Sequence, residues 1–85
     1  MKKILLVNNE CPECADTLTK LDVQIKNHEI EVIKEETEAG KKLSKDLKVR
    51  EVPIIVIEEN EKVQKCFIGK DFDIAYCMDG SEIDL

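Results

Sequence analysis

The sequence predicts an α/β fold, a mixed four-stranded sheet flanked by helices in the order β-α-β-α-β-β-α. Strand-length apolar runs alternate with stretches whose apolar residues recur three and four apart, the pattern of βαβ units. A β-branched run at 52–57 is followed by a polar turn and a second strand-length run, which reads as a hairpin. With 85 residues, the chain reads as one domain spanning 1–85.

The elements follow in order. Residues 2–8 read as a strand buried on both faces, because Ile4-Leu5-Leu6-Val7 is a continuous apolar run. Residues 11–27 read as a helix whose Ala15, Leu18, Leu21 and Ile25 make one apolar face. Pro12 suits its first turn, where a missing N–H is no loss. Residues 29–34 read as a strand, with Ile30 and Val32 alternating with charges. Residues 36–47 read as a helix with Ala39, Leu43 and Leu47 on one face, and Gly40 counts against it. Residues 51–58 read as a central strand, 59–61 as a turn and 62–68 as the returning strand. Strand, helix, strand implies a parallel pair joined by a right-handed crossover. After Gly69, residues 71–78 read as a last helix carrying Phe72, Ala75 and Tyr76. Asp79-Gly80 reads as a turn, and the acidic tail to Leu85 as loosely held.

Composition narrows the function. Apolar residues make up 42% but aromatics only 4%, so the core is expected to be aliphatic. The net charge of −6 argues against nucleic acid, because an acidic chain releases no phosphate counterions. It favours basic partner surfaces instead. No apolar stretch approaches the roughly 20 residues of a membrane span. Lys2 and Lys3 followed by four apolar residues and Glu10 fall short of a signal peptide. A cytoplasmic, monomeric protein is therefore expected.

The chemistry centres on Cys11-Pro12-Glu13-Cys14, at the junction of the first strand and first helix. In an intracellular βαβ context this spacing reads as a redox dithiol. Residues three apart on a helix share a face, close enough for a small rearrangement to close a disulfide.

The element order, this motif after the first strand, and Val52-Pro53 opening the third strand resemble the thioredoxin fold. The short length, with no additional N-terminal strand and helix, is similar to glutaredoxins in particular. The resemblance covers about the first 70 residues. It implies that Cys11 is the nucleophile and Cys14 the resolving thiol. It also implies that Pro53 is a cis-proline facing the site, with Val52 offering its backbone to an extended substrate. Arg50-Glu51-Val52-Pro53 resembles the segment before that proline, which makes Pro12, Glu13, Arg50, Val52 and Pro53 the candidate substrate-binding residues. A helix N-terminus stabilises a thiolate and lowers its pKa. The implied function is thiol–disulfide exchange with protein or small-molecule disulfides, with no cofactor beyond the Cys11–Cys14 disulfide and no metal. The implied reductant is glutathione or a thioredoxin reductase. The alternative is a thioredoxin-fold binding module, for a metal or a partner protein, without turnover.

The chain departs from the family pattern in places. Glu13 stands where glutaredoxins commonly have Tyr, and Asn8, Asn9 and Glu10 stand where a basic residue often precedes the first cysteine. Gly69-Lys70-Asp71-Phe72-Asp73 keeps one glycine and an Asp of the pattern that binds glutathione's γ-glutamyl end. Glu10 and Glu13 are expected to oppose the Cys11 thiolate. Cys66 and Cys77 read first as buried small hydrophobes. A second disulfide, regulatory oxidation of Cys77 and a four-cysteine zinc site stay open beside that reading. His28 reads as an exposed turn residue.

Overall fold

The run Ile4-Leu5-Leu6-Val7 forms most of β1 (Lys2–Val7), and all four side chains are buried. Burial of successive residues requires cover on both faces, because side chains alternate along a strand. A computed structural model describes all residues, 1–85. After β1 come α1 (Pro12–Lys20), α2 (Asp22–Lys26), β2 (Glu31–Lys34), α3 (Glu38–Leu47), β3 (Ile54–Glu59) and β4 (Lys62–Ile68). They are followed by β5 (Ile74–Cys77) and β6 (Glu82–Asp84). The six strands form one mixed sheet in the order β2-β1-β3-β4-β5-β6. β1 and β2 are parallel, and every other pairing is antiparallel.

One row of partners crosses five strands: Val32, Leu5, Ile55, Cys66 and Cys77. Opposed residues in a ladder point to the same face. This face packs into one apolar cluster with Cys14 and Thr17's neighbour Leu21 from the helical segment, and with Ile30, Ile57 and Ala75. Ile4, Leu6, Ile54 and Val56 are buried on the opposite face. Each such side chain contributes about 1.5–3 kcal/mol on leaving water.

The predicted 11–27 helix is divided at Leu21, which is fully buried and lies outside helical geometry. Its buried face is Cys14, Thr17 and Leu21, with Leu18 and Ile25 partly buried, whereas Ala15 is exposed. Thr17 tolerates burial because its hydroxyl donates to the Glu13 carbonyl at 2.9 Å. His28 is exposed, with a φ of 61° in the turn that closes α2.

In α3, Thr37 is the N-cap and accepts from the Gly40 N–H at 3.1 Å. Gly40 is buried, and a Cβ there would collide with the Lys34 carbonyl oxygen. The glycine that weakens the helical pattern in sequence is what lets α3 lie against β2. Ala39 is exposed, and Leu43 and Leu47 are partly buried.

The C-terminal third departs from the sequence expectation. The predicted helix over 71–78 and loose tail are instead the strands β5 and β6, so the sheet has six strands rather than four. Ala75 and Cys77 are buried while Tyr76 is exposed, a period of two that no helix sustains. The tail is held by the β5–β6 ladder and by the Leu85 N–H donating to the Asp73 carbonyl at 2.9 Å. Asp79 organises the intervening turn. Its carboxylate accepts from Lys62 Nζ at 2.7 Å, Ser81 Oγ at 2.6 Å, Ser81 N–H at 2.9 Å and Gln64 Nε2 at 3.3 Å. These donors, Lys62 foremost, hold its pKa well below the usual carboxylate range. Gly80 takes a φ of 91° that favours glycine.

Cys66 and Cys77 stand opposite each other in the β4–β5 ladder and are joined by a disulfide. Both are buried in the apolar cluster, so the expected burial holds but the expected free thiols do not. Their Cα atoms lie 4.0 Å apart, because the antiparallel register sets them face to face. Nothing in the spacing of 11 residues could reveal that register.

Candidate active site

The segment between β1 and α1 is fixed before the first cysteine is reached. Asn8 Oδ1 accepts from the Glu10 N–H at 2.8 Å, an Asx turn that reverses the chain. Asn8 Nδ2 donates to Glu35 Oε1 at 3.1 Å, and the Asn9 N–H donates to Glu36 Oε2 at 3.2 Å. The segment following β2 thereby anchors the loop that presents Cys11.

Cys11 is the N-cap of α1, with extended φ and ψ of −108° and 107°. Its Sγ accepts from the Cys14 N–H at 3.0 Å, the position an Asp or Ser oxygen takes in an ordinary cap. Pro12 opens the helix, and Glu13 lies exposed in its first turn. Cys11 is partly exposed, whereas Cys14 is 1% exposed and packs into the core. The two are joined by a disulfide with Cα atoms 5.1 Å apart. Only Cys11 is placed to meet a partner in solution.

Across from the motif, Cys11 Sγ lies 3.7 Å from the Val52 carbonyl oxygen. The Val52–Pro53 peptide is cis, the geometry implied by the resemblance. β3 begins at Ile54 rather than 51, so Val52 lies outside the ladder, and its N–H and C=O make no backbone hydrogen bond. The N–H is open to an incoming chain, and the C=O is met only by the Cys11 sulfur.

A groove of about 500 Å³ runs beside this contact. The helix side contributes Pro12 and Glu13, and the loop before β3 contributes Val52 and Pro53, so four candidate binding residues converge there. Arg50 does not; it is exposed outside the lining. The opposite wall comes from the end of β4 and the turn after it. It includes Gly69, Lys70 and Phe72, part of the segment that the resemblance pairs with glutathione binding, and adds Phe67 and Ile68, which the sequence did not single out for the site. Asp16 and Glu51 also line the groove. Glu51 was adjacent to a candidate in sequence, whereas Asp16 and Phe67 carry no local signal that links them to Cys11. No group of three or more His, Cys, Asp and Glu side chains is arranged to hold a metal ion. No helix is long and apolar enough to cross a membrane.

Comparison with known protein families, characterised protein sequences and solved structures finds no match to this chain.

Proposed function

We propose that this chain is a small cytoplasmic thiol–disulfide oxidoreductase with a glutaredoxin-like thioredoxin fold, cycling Cys11 and Cys14 between dithiol and disulfide. The observation that carries the reading is the Cys14 N–H donated to Cys11 Sγ at the α1 N-cap. When the disulfide opens, that same N–H and the helix dipole face the Cys11 sulfur and favour its thiolate. The parallel β1–β2 pair and the β3–β4 hairpin, in the order β2-β1-β3-β4, support the fold assignment.

The Cys11 thiolate attacks one sulfur of a substrate disulfide, a mixed disulfide forms, and the other substrate sulfur leaves as a thiolate. Cys14 loses its proton to water and attacks Cys11 Sγ, which closes the Cys11–Cys14 bond and releases the second substrate thiolate. Two electrons pass to the substrate. Glutathione or a thioredoxin reductase then returns the pair to the dithiol.

The test is coupled disulfide reduction, one arm with glutathione and its reductase and the other with thioredoxin reductase and NADPH. Turnover is expected in one arm, with loss of at least about 10³-fold in Cys11→Ser, the scale of losing a nucleophile. Cys14→Ser should accumulate the mixed disulfide, seen as a mass increase. A Cys11→Ser variant with full activity rules out the mechanism. Failure in both arms, with Cys11–Cys14 still opened by dithiothreitol, favours a binding module without turnover.

A further inference from the structure

We propose that the groove beside Cys11 receives a cationic, extended polypeptide carrying the substrate disulfide, and discriminates against anionic thiols. This rests on the oxidoreductase reading and specifies its substrate class.

Charge is the first argument. Among the groove's lining residues Glu13, Asp16 and Glu51 are acidic, and Lys70 is the one cation. The loop that presents Cys11 is itself held by the carboxylates of Glu35 and Glu36, and Glu10 is exposed beside the motif. The whole chain carries −6, so the local field and the long-range field have the same sign. Glutathione has two carboxylates against one ammonium and is repelled by this lining. A lysine- or arginine-flanked segment is attracted.

Backbone and shape supply the second argument. Val52 presents a main-chain N–H and C=O that make no backbone hydrogen bond, the C=O 3.7 Å from Cys11 Sγ. An extended chain bringing its sulfur to Cys11 can pair with them. Phe67 lines the groove, and Tyr76 stands opposite it in the ladder; they are 46% and 47% exposed. The Tyr76 ring rests on Gly69, where a Cβ would come within 2.9 Å of Cε2. An apolar platform of Phe67 and Tyr76 therefore continues from the groove wall, suited to the side chains of an extended segment.

The step is ordinary exchange. The Cys11 thiolate bonds to the peptide sulfur and expels the other thiol; Cys14 then displaces the peptide thiolate from Cys11.

The experiment uses three cysteine peptides flanked by lysine, serine or glutamate, each in disulfide linkage to the same aromatic thiol. Values of kcat/KM are divided by the rate of each peptide with free dithiothreitol, which removes the peptides' intrinsic reactivity. The lysine peptide is expected to exceed the glutamate peptide by roughly tenfold at low salt, and the ratio to collapse at high salt. Asp16→Asn with Glu51→Gln should cut that ratio by at least about threefold, whereas Glu61→Gln, at the far end of β4, should leave it unchanged. Equal normalised rates for the three peptides overturn this inference alone. An equal loss from Glu61→Gln also overturns it, assigning the preference to overall charge. No reduction of any peptide overturns the oxidoreductase reading and the inference with it.

Discussion

At the residue scale, the Cys11 sulfur sits between opposing fields. The Cys14 N–H and the start of α1 favour negative charge on it, and the Glu13 carboxylate in the first turn opposes it. Glu13 is exposed, so water screens its effect without abolishing it. Glu13→Tyr should therefore shift the midpoint of Cys11 alkylation by iodoacetamide to lower pH, by a few tenths of a unit or more. A rate–pH profile of the reduced protein measures this, and an unmoved midpoint removes Glu13 from the account. Under the proposed function, the carboxylate thus trades some nucleophile activation for an acidic groove rim. The motif's local geometry was legible in the sequence because cap, proline and second cysteine are neighbours along the chain. The Asn8–Glu35 bond was not, since it joins residues 27 apart.

At the scale of elements, α3 and the β5–β6 turn show how one contact can outweigh local propensity. Alanine is a better helix former than glycine by about 1 kcal/mol. Gly40→Ala should nevertheless destabilise the protein, by about 1–3 kcal/mol, because the new Cβ meets the fixed Lys34 carbonyl. Urea unfolding midpoints decide the sign. Asp79 gives a pH-dependent prediction. Its folded pKa is depressed, so its ionised form adds stability above the unfolded value of about 3.9. That contribution disappears as the pH falls below about 4, toward the lower folded pKa. Asp79→Asn should be less stable than the parent at pH 6, and the difference should shrink at pH 2, read from urea midpoints at both. The β5–β6 hairpin illustrates why local patterns mislead. Phe72, Ala75 and Tyr76 fall three and four apart, which imitates a helical face. The segment is short enough to go either way, and pairing with the open edge of β4 decides for strand.

For the whole molecule, the two disulfides occupy one apolar cluster but differ in access. Cys11 is partly exposed at its edge, while Cys66 and Cys77 are buried within it. Dithiothreitol followed by iodoacetamide on the native protein should label Cys11 and spare Cys66 and Cys77, which react only after denaturation; peptide mass mapping reads this directly. Replacing Cys66 and Cys77 by alanine should cost roughly 2–4 kcal/mol, because the cross-link restricts the unfolded chain. That loss should appear as a lower urea midpoint. The bond ties β5 to β4 and so steadies the β4–β5 turn, which forms one wall of the groove.

The sequence by itself determined the order of strands and helical segments up to β4, though not the break at Leu21, together with the strand–helix junction that carries Cys11 and Cys14 and the acidic balance of the chain. Each of these depends on neighbouring residues or on a simple period: a buried four-residue run in β1, a cap, a β-branched run in β3. Only the tertiary structure decided that residues 74–84 extend the sheet, that Cys66 faces Cys77, and that Phe67 at the end of β4 joins the groove wall opposite Val52. Those outcomes depend on strand register and on contacts between distant segments. Register is a property of two strands at once, so no window along a single strand contains it.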